Sequence, residues 1–215
     1  MIKNTILVFV DFDETIFDHE KYIEWLDLYL HENHNIFPGS FKSTLWDYHS
    51  YIDDIHRLYD HEAHIKDLTG HSWSYISAEI ESESIKKKLD FCYPEIHKSI
   101  QWLVNNKYDT RILTFGRGDY QRHKIYLCCD LTKMGIPVHV VNIPKREFIK
   151  NEFKNANGGF LIDDKYPLGI ERPWKHIWLS RKSKVETPII QKDGAIMVGS
   201  IEQAVNIITN SHGTE

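Results

Sequence analysis

Four places in the chain put reactive side chains at the end of an apolar run. Asp11, Asp13 and Thr15 follow residues 5–10, and Thr114, Phe115, Gly116, Arg117 and Gly118 close or follow residues 111–115. Lys145 comes two residues after the run 138–143, and Asp163 and Asp164 follow residues 160–162. If these runs are neighbouring parallel strands, all four tips meet at one sheet edge, where doubly wound sheets bind their ligands. Four carboxylates crowded there repel one another and require a cation, and oxygen donors with little else suit Mg²⁺. A lysine, a hydroxyl and backbone amides beside that cation suit a phosphoryl group. One carboxylate can then act as nucleophile and form an aspartyl phosphate. Taken singly, each residue has an ordinary use. An Asp just past a strand makes a turn or caps a helix; Thr114 is a strand residue, and Lys145 a solvated first-turn lysine. The chemistry is read from their conjunction in this order.

The elements must deliver that convergence. Residues 5–10 are continuously apolar and rich in β-branched side chains, the pattern of a strand buried on both faces of a helix-covered parallel sheet. Residues 111–115 (RILTF), 138–143 (VHVVNI) and 160–162 (FLI) repeat it, and 177–179 and 195–198 repeat it more weakly. Helical spacing lies between them. Pro94 opens a helix with Ile96, Ile100, Leu103 and Val104 on one stripe. A second helix is predicted from Asp119 toward Met134 with Gly135 as its stop, a third from Lys145 to about Asn157, and a fourth over 201–209. Strand and helix alternate, so the fold class is α/β, a doubly wound, Rossmann-like parallel sheet. Residues 18–90 break the alternation. They carry no strand pattern, three helical candidates at 20–31, 45–59 and 72–89, and turns at Pro38-Gly39 and Thr69-Gly70. The predicted organisation is a core of 1–17 with 91–215, interrupted by a helical insertion at 18–90.

The motifs resemble those of the haloacid dehalogenase superfamily. DFDET followed by an apolar residue looks like its first motif, ILTFG like its second, Lys145 like its third and LIDD like its fourth. The resemblance covers roughly residues 5–17 and 91–205. It implies that Asp11 attacks phosphorus and that Asp13 protonates the leaving oxygen and then activates water. Asp13 is also the residue that marks phosphatases in this superfamily. Thr114 and the Gly116 amide, with Thr15, Phe115 and Arg117, make the implied phosphate-binding set. Lys145 is implied to steady Asp11. Mg²⁺ is implied to sit on the Asp11 side chain, the Asp13 carbonyl, Asp163 and Asp164. The place of the insertion matches a helical C1-type cap, which would exclude water and admit a small-molecule phosphate ester.

Lys145 precedes Asp163 by a short 18 residues, so Lys150 and Lys124 are rival site lysines. Gln121 and Lys124, one turn apart, could face the same pocket. In the insertion, Trp25, Trp46 and Trp73 are expected in its core rather than as a stacking platform for a base. His61 and His64 could share a helix face and hold a metal, although acidic, histidine-rich helices are usually just solvated. His31, His34 and His56 have no assigned role.

Composition narrows the rest. Hydrophobic residues are 41% and aromatics 13% of the 215, which supports a packed interior. A net charge of -5 argues against a nucleic-acid binder working by phosphate neutralisation. Cys92, Cys128 and Cys129 form no metal-cage or disulfide pattern and read as small buried hydrophobes. No window approaches the roughly 20 apolar residues of a membrane span. Residues 6–10 are too short for the core of a signal peptide, so the cytoplasm is the expected compartment. The expected function is Mg²⁺-dependent hydrolysis of a small phosphomonoester through an aspartyl phosphate. A phosphomutase or phosphotransferase would use the same intermediate. A non-catalytic, receiver-like protein would place its paired acids near the first strand, the reverse of the order here.

Overall fold

The computed structural model describes residues 5–211, and side chains throughout that range except those of Cys129 and Asp130. The order is β1 (Leu7–Val10), α1 (His19–His34), α2 (Ser40–Thr44), a 3₁₀ turn (Leu45–Tyr48), β2 (His49–Tyr51), β3 (Arg57–Tyr59), α3 (His61–Thr69) and α4 (Trp73–Lys87). Then follow α5 (Ile96–Asn105), β4 (Asp109–Phe115), α6 (Gly118–Tyr126), α7 (Cys129–Lys133), β5 (Val138–Val141), α8 (Lys145–Glu152) and β6 (Gly159–Asp163). The chain closes with β7 (Trp174–Leu179), β8 (Ile189–Ile190), β9 (Ile196–Val198) and α9 (Ile201–Asn210).

Seven strands form one sheet in the order β5-β4-β1-β6-β7-β9-β8. All neighbouring pairs are parallel except β8 with β9. β1 sits between β4 and β6, so the tips of β4, β1 and β6 are adjacent. Alternation along β1 divides the interior. Val8 and Val10 face one cluster with Ile96, Ile100 and Ile201, whereas Leu7 and Phe9 face another with Leu113, Ile149 and Trp174. α5 and α9 cover the first face and α8 the second. Each of these fully buried aliphatic or aromatic side chains contributes about 1.5–3 kcal/mol. Cys92 and Cys128 are buried as expected; the Cys129 side chain lies outside the described residues.

Three predicted elements differ. α8 stops at Glu152, short of the expected Asn157. The predicted helix from Asp119 toward Met134 is two helices, broken at Leu127 and Cys128; both side chains, with that of Leu131, thereby reach the core. The insertion also contains strands. Residues 45–59, read as a helix from Tyr48, Ile52, Ile55 and Tyr59, form the 3₁₀ turn and an antiparallel ribbon pairing His49 with Tyr59 and Tyr51 with Arg57. Asp53 is the cause. Its carboxylate accepts from the amides of Ile55 (2.8 Å) and His56 (2.7 Å), which fixes a turn where a helix would need those amides elsewhere. The insertion's longer helices begin as sequence dictates, with Asp18, Asp60 and Ser72 capping α1, α3 and α4.

Candidate active site

β1 delivers Asp11 at its carboxyl end, and the Asp11 amide continues the ladder to the Ile162 carbonyl at 2.8 Å. β6 delivers Asp163 and Asp164. Pro144 caps α8, so Lys145 enters the site from the helix's first residue. The Lys145 ammonium lies 2.5 Å from Asp11 Oδ1 and 2.5 Å from Asp163 Oδ2, and all three groups are buried. Lys150 is exposed on α8 and takes no part. Ligand oxygens of Asp11, Asp163 and Asp164 lie within 4.8 Å of one another. Burial, then Asp163, pushes the Asp11 carboxyl up to about 6 despite Lys145. Burial, then Asp11 and Asp163, pushes Asp164 up to about 9. Asp163 is held below the usual carboxylate range because Lys145 overrides its burial. One ammonium therefore does not neutralise three carboxylates. Asp164 Oδ1 is buried without a hydrogen-bond partner. This oxygen-only cluster with an orphaned carboxylate oxygen fits a small divalent cation such as Mg²⁺.

Asp13 points to a second cation. Lys124 Nζ is 2.5 Å from Asp13 Oδ1, and Gln121 Nε2 donates to Oδ2 at 2.9 Å. Lys124 is fully buried, its ammonium over the rings of Tyr120, Phe17 and Phe12. Burial alone would raise the Asp13 pKa, but Lys124 holds it well below the ordinary range. Both rival lysines thus have distinct posts: Lys145 at Asp11, Lys124 at Asp13.

The second motif is placed less simply. Thr114 and Thr15 are buried, each with a hydroxyl lacking a partner, so both can receive a ligand. Phe115 contributes its carbonyl to Gln121 Nε2 (2.9 Å) and its ring to His56 (4.7 Å). The Gly116 amide donates to the Val141 carbonyl at 2.9 Å, so the sheet already uses the amide expected to hold a phosphoryl oxygen. Gly116 has φ +152, and a Cβ there would meet Gln121 Nε2 at 2.6 Å; the glycine permits the approach of Gln121. Arg117 does not turn into the phosphate region. Its guanidinium is 3.1 Å from Asp60 Oδ2 at the start of α3.

Several contributors carry no sequence signal of their own. Glu14 adopts φ +57, a left-handed conformation uncommon for a side-chain-bearing residue. Its amide bonds Phe17 O, and Tyr93 donates to Oε2 at 2.8 Å. Arg181, from beyond β7, donates to the carbonyls of Glu14 (3.0 Å) and Thr15 (2.6 Å), pairs with Glu95 and lies over the Tyr93 ring. This clamp fixes the turn that aims Asp11 and Asp13. Trp178 Nε1 donates to the Asp164 carbonyl at 3.0 Å. His19 Nδ1, without a hydrogen-bond partner, is 3.9 Å from Asp13 Oδ1. Burial, then Lys124, lowers the His19 pKa to about 4, so the imidazole is neutral.

Residues of the segment 18–90 pair with α6 and the residue that caps it. His61 pairs with Asp119 (2.9 Å), and Glu81 with His123 (2.9 Å), in addition to Arg117 with Asp60. His61 and His64 do not converge. His64 stacks between Phe41 and Tyr48 and bonds Thr44 and Tyr59, and neither histidine belongs to a metal-sized cluster among the described residues. Trp73 is buried and Trp25 half-buried, but Trp46 is 63% exposed, contrary to the expected core position.

No family profile and no curated protein matches the chain. Solved structures do. A haloacid dehalogenase-like hydrolase of Burkholderia xenovorans superposes with TM-score 0.64 at 14% identity, covering 96% of this chain and 98% of that one. The HAD-hydrolase YfnB of Bacillus subtilis, solved bound to magnesium, gives 0.59 at 17% identity over 96% and 99%. A protein of Thermotoga maritima assigned as a β-phosphoglucomutase gives 0.54 at 14% over 96% and 99%. No helix among the described residues is long and apolar enough to cross a membrane.

Proposed function

The fold is that of the haloacid dehalogenase-like hydrolases, and we propose that this chain is a Mg²⁺-dependent phosphatase of that superfamily acting on a small phosphomonoester through an aspartyl phosphate. The observation that carries the proposal is the single lysine bridging Asp11 and Asp163, with Asp164 within metal-sharing distance.

Asp11 is the nucleophile. Lys145 fixes its rotamer and keeps it ionised against burial, and its second oxygen is left to meet phosphorus. Thr15 and Thr114 supply the free hydroxyls that receive phosphoryl oxygens. Asp11, Asp163 and Asp164, with the Asp13 carbonyl, would hold Mg²⁺, which when bound offsets the carboxylate and phosphoryl charge. Asp13 is the acid and base. Paired to Lys124 it is ionised and ready to take a proton from the water that attacks the aspartyl phosphate. To protonate the leaving oxygen first, this pair must loosen so that the Asp13 pKa rises and its carboxylate takes up a proton from solvent before passing it on. Residues 18–90 form the cap over a core of 1–17 and 91–215. The buried Cys92 and Cys128 suit a reducing cytoplasm.

Release of inorganic phosphate from a phosphomonoester panel tests this reading. Activity should require Mg²⁺, vanish with EDTA, and fall roughly 10⁴-fold or more in Asp11→Asn. Inertness toward the whole panel with Mg²⁺ bound would overturn it. The likeness to a protein assigned as a phosphoglucomutase keeps transfer as a second reading. Product analysis with added sugar acceptors separates the two, because transfer yields a new phosphate ester.

A further inference from the structure

Between the acid cluster and the insertion lies a cavity of about 670 Å³. Its inner wall carries Asp13, Asp164 and Lys124, and its outer wall is built from the 3₁₀ turn and the β2–β3 ribbon. Pairing of His49 with Tyr59 and of Tyr51 with Arg57 puts all four side chains on one face of the ribbon. They form a continuous stack. His49 lies against Tyr59 (5.0 Å, 18°) and Trp46 (4.9 Å), and the Arg57 guanidinium lies over Trp46 (5.2 Å) and Tyr51 (4.5 Å). The stack is anchored where Tyr59 hydrogen-bonds the buried His64 at 2.7 Å.

Two features of this shelf point to a ligand. Arg57 lines the cavity with no carboxylate within ion-pair distance among the described residues, and its guanidinium is stacked on two rings. The acids that share the cavity do not quench it. Asp54 lies beyond ion-pair reach, and Glu14 is turned to Tyr93. His49, beside it, bonds the Leu45 carbonyl through Nδ1 at 2.8 Å, so Nδ1 carries the proton and Nε2 is an acceptor. A planar, pre-oriented guanidinium suits bidentate recognition of a carboxylate or phosphate. An adjacent acceptor suits a hydroxyl.

We propose that Arg57 reads a second anionic group, borne with a hydroxyl on the alcohol half of the substrate, and that the enzyme therefore prefers phosphomonoesters of acidic small molecules. Lys165, also half-buried in this cavity and without a carboxylate partner for its ammonium among the described residues, adds to the positive field that draws such a substrate in. The inference rests on the phosphatase reading for turnover but not for binding, and the test separates them.

Binding is measured by calorimetry on the Asp11→Asn protein, and turnover on the native enzyme, with glycerol phosphate, phosphoglycerate and propanediol bisphosphate. These share a three-carbon skeleton, and the latter two distinguish a carboxylate from a phosphate as the second anion. We expect at least one of the latter two to bind on the order of tenfold more tightly than glycerol phosphate, the effect of one charge-assisted pair. Adding Arg57→Ala should bring that ratio toward one through Kd, and in turnover through KM rather than kcat. Asp54→Asn should leave the dependence on Arg57 in place, because its carboxylate does not pair with the guanidinium; loss of that dependence would count against the proposal. Equal binding of all three, or a preference that survives Arg57→Ala, would overturn the proposal. Preferential binding that depends on Arg57, together with no phosphate release by the native enzyme, would uphold it and sink the phosphatase reading instead.

Discussion

The sheet edge and the inserted segment solve the burial of polar groups in opposite ways. At the edge, charge meets charge: Lys145 sits between Asp11 and Asp163, all three buried, and the buried Lys124 sits on the half-buried Asp13. In the insertion, the buried His64 is held neutral. His64 is enclosed by Phe41 and Tyr48, with Thr44 2.8 Å from one ring nitrogen and Tyr59 2.7 Å from the other. A charged network in low dielectric holds each oxygen in one place, as a reaction centre needs, but leaves net negative charge for a cation and substrate to resolve. A neutral aromatic network tolerates adjustment of its surface, as a specificity element needs. The contrast teaches that stability and chemistry compete at the edge and not in the insertion.

Removing Lys145 should strike that comparison hardest. Lys145→Met leaves Asp11 and Asp163 buried without a counter-charge, and stability should fall by about 3–5 kcal/mol in urea titrations without metal. Millimolar Mg²⁺ should restore part of it, by mass action on the folded state. Absence of any Mg²⁺ effect would mean that the cluster holds no cation.

Lys124→Met comes next. It should lower kcat roughly 10²–10³-fold, within the range of a mis-set acid–base group. The sign in pH is definite. Lys124 is what holds Asp13 low, so its loss raises the Asp13 pKa, and the acidic limb of the kcat profile, where Asp13 is the base toward the aspartyl phosphate, should move to higher pH. An unmoved limb would remove Asp13 from the acid–base role.

The insertion should respond to acid instead. Burial lowers the His64 pKa from 6.5 to about 4, so between those values the unfolded chain binds the extra proton and the folded chain does not. Stability contributed by the neutral ring is complete above 6.5 and is lost as pH falls toward 4. Urea midpoints measured across that window should fall, and less steeply in His64→Phe. Smallest of all, Arg117→Ala should cost under about 1 kcal/mol, because its pair with Asp60 is half-exposed. A larger loss of stability would make that pair a structural joint between the insertion and α6.

Much of this was legible in the residues. Strand runs with acids at their ends placed Asp11, Asp163 and Asp164 together, because parallel strands present their tips on one side whatever lies between them. Lys145 was only one of three candidates with Lys150 and Lys124, since position after a strand does not say which ammonium reaches the acids. The ribbon was not legible, because Tyr48, Ile52, Ile55 and Tyr59 mimic helical spacing and the turn depends on where one Asp53 carboxylate finds its amides. Nor was Trp46's exposure, which depends on Arg57 coming back across the ribbon to cover its ring.

What the sequence determined by itself is the α/β order and the acids that stand at the strand ends, both properties of local periodicity and chain order. Only the tertiary structure decided the partners. It gave Lys145 to Asp11 and Lys124 to Asp13, sent Arg117 to Asp60, spent the Gly116 amide on Val141, and brought Arg181 across from beyond β7 to hold the Glu14 turn. Side-chain pairing over such separations follows from which helices pack on which sheet face, and no window of the sequence contains that information.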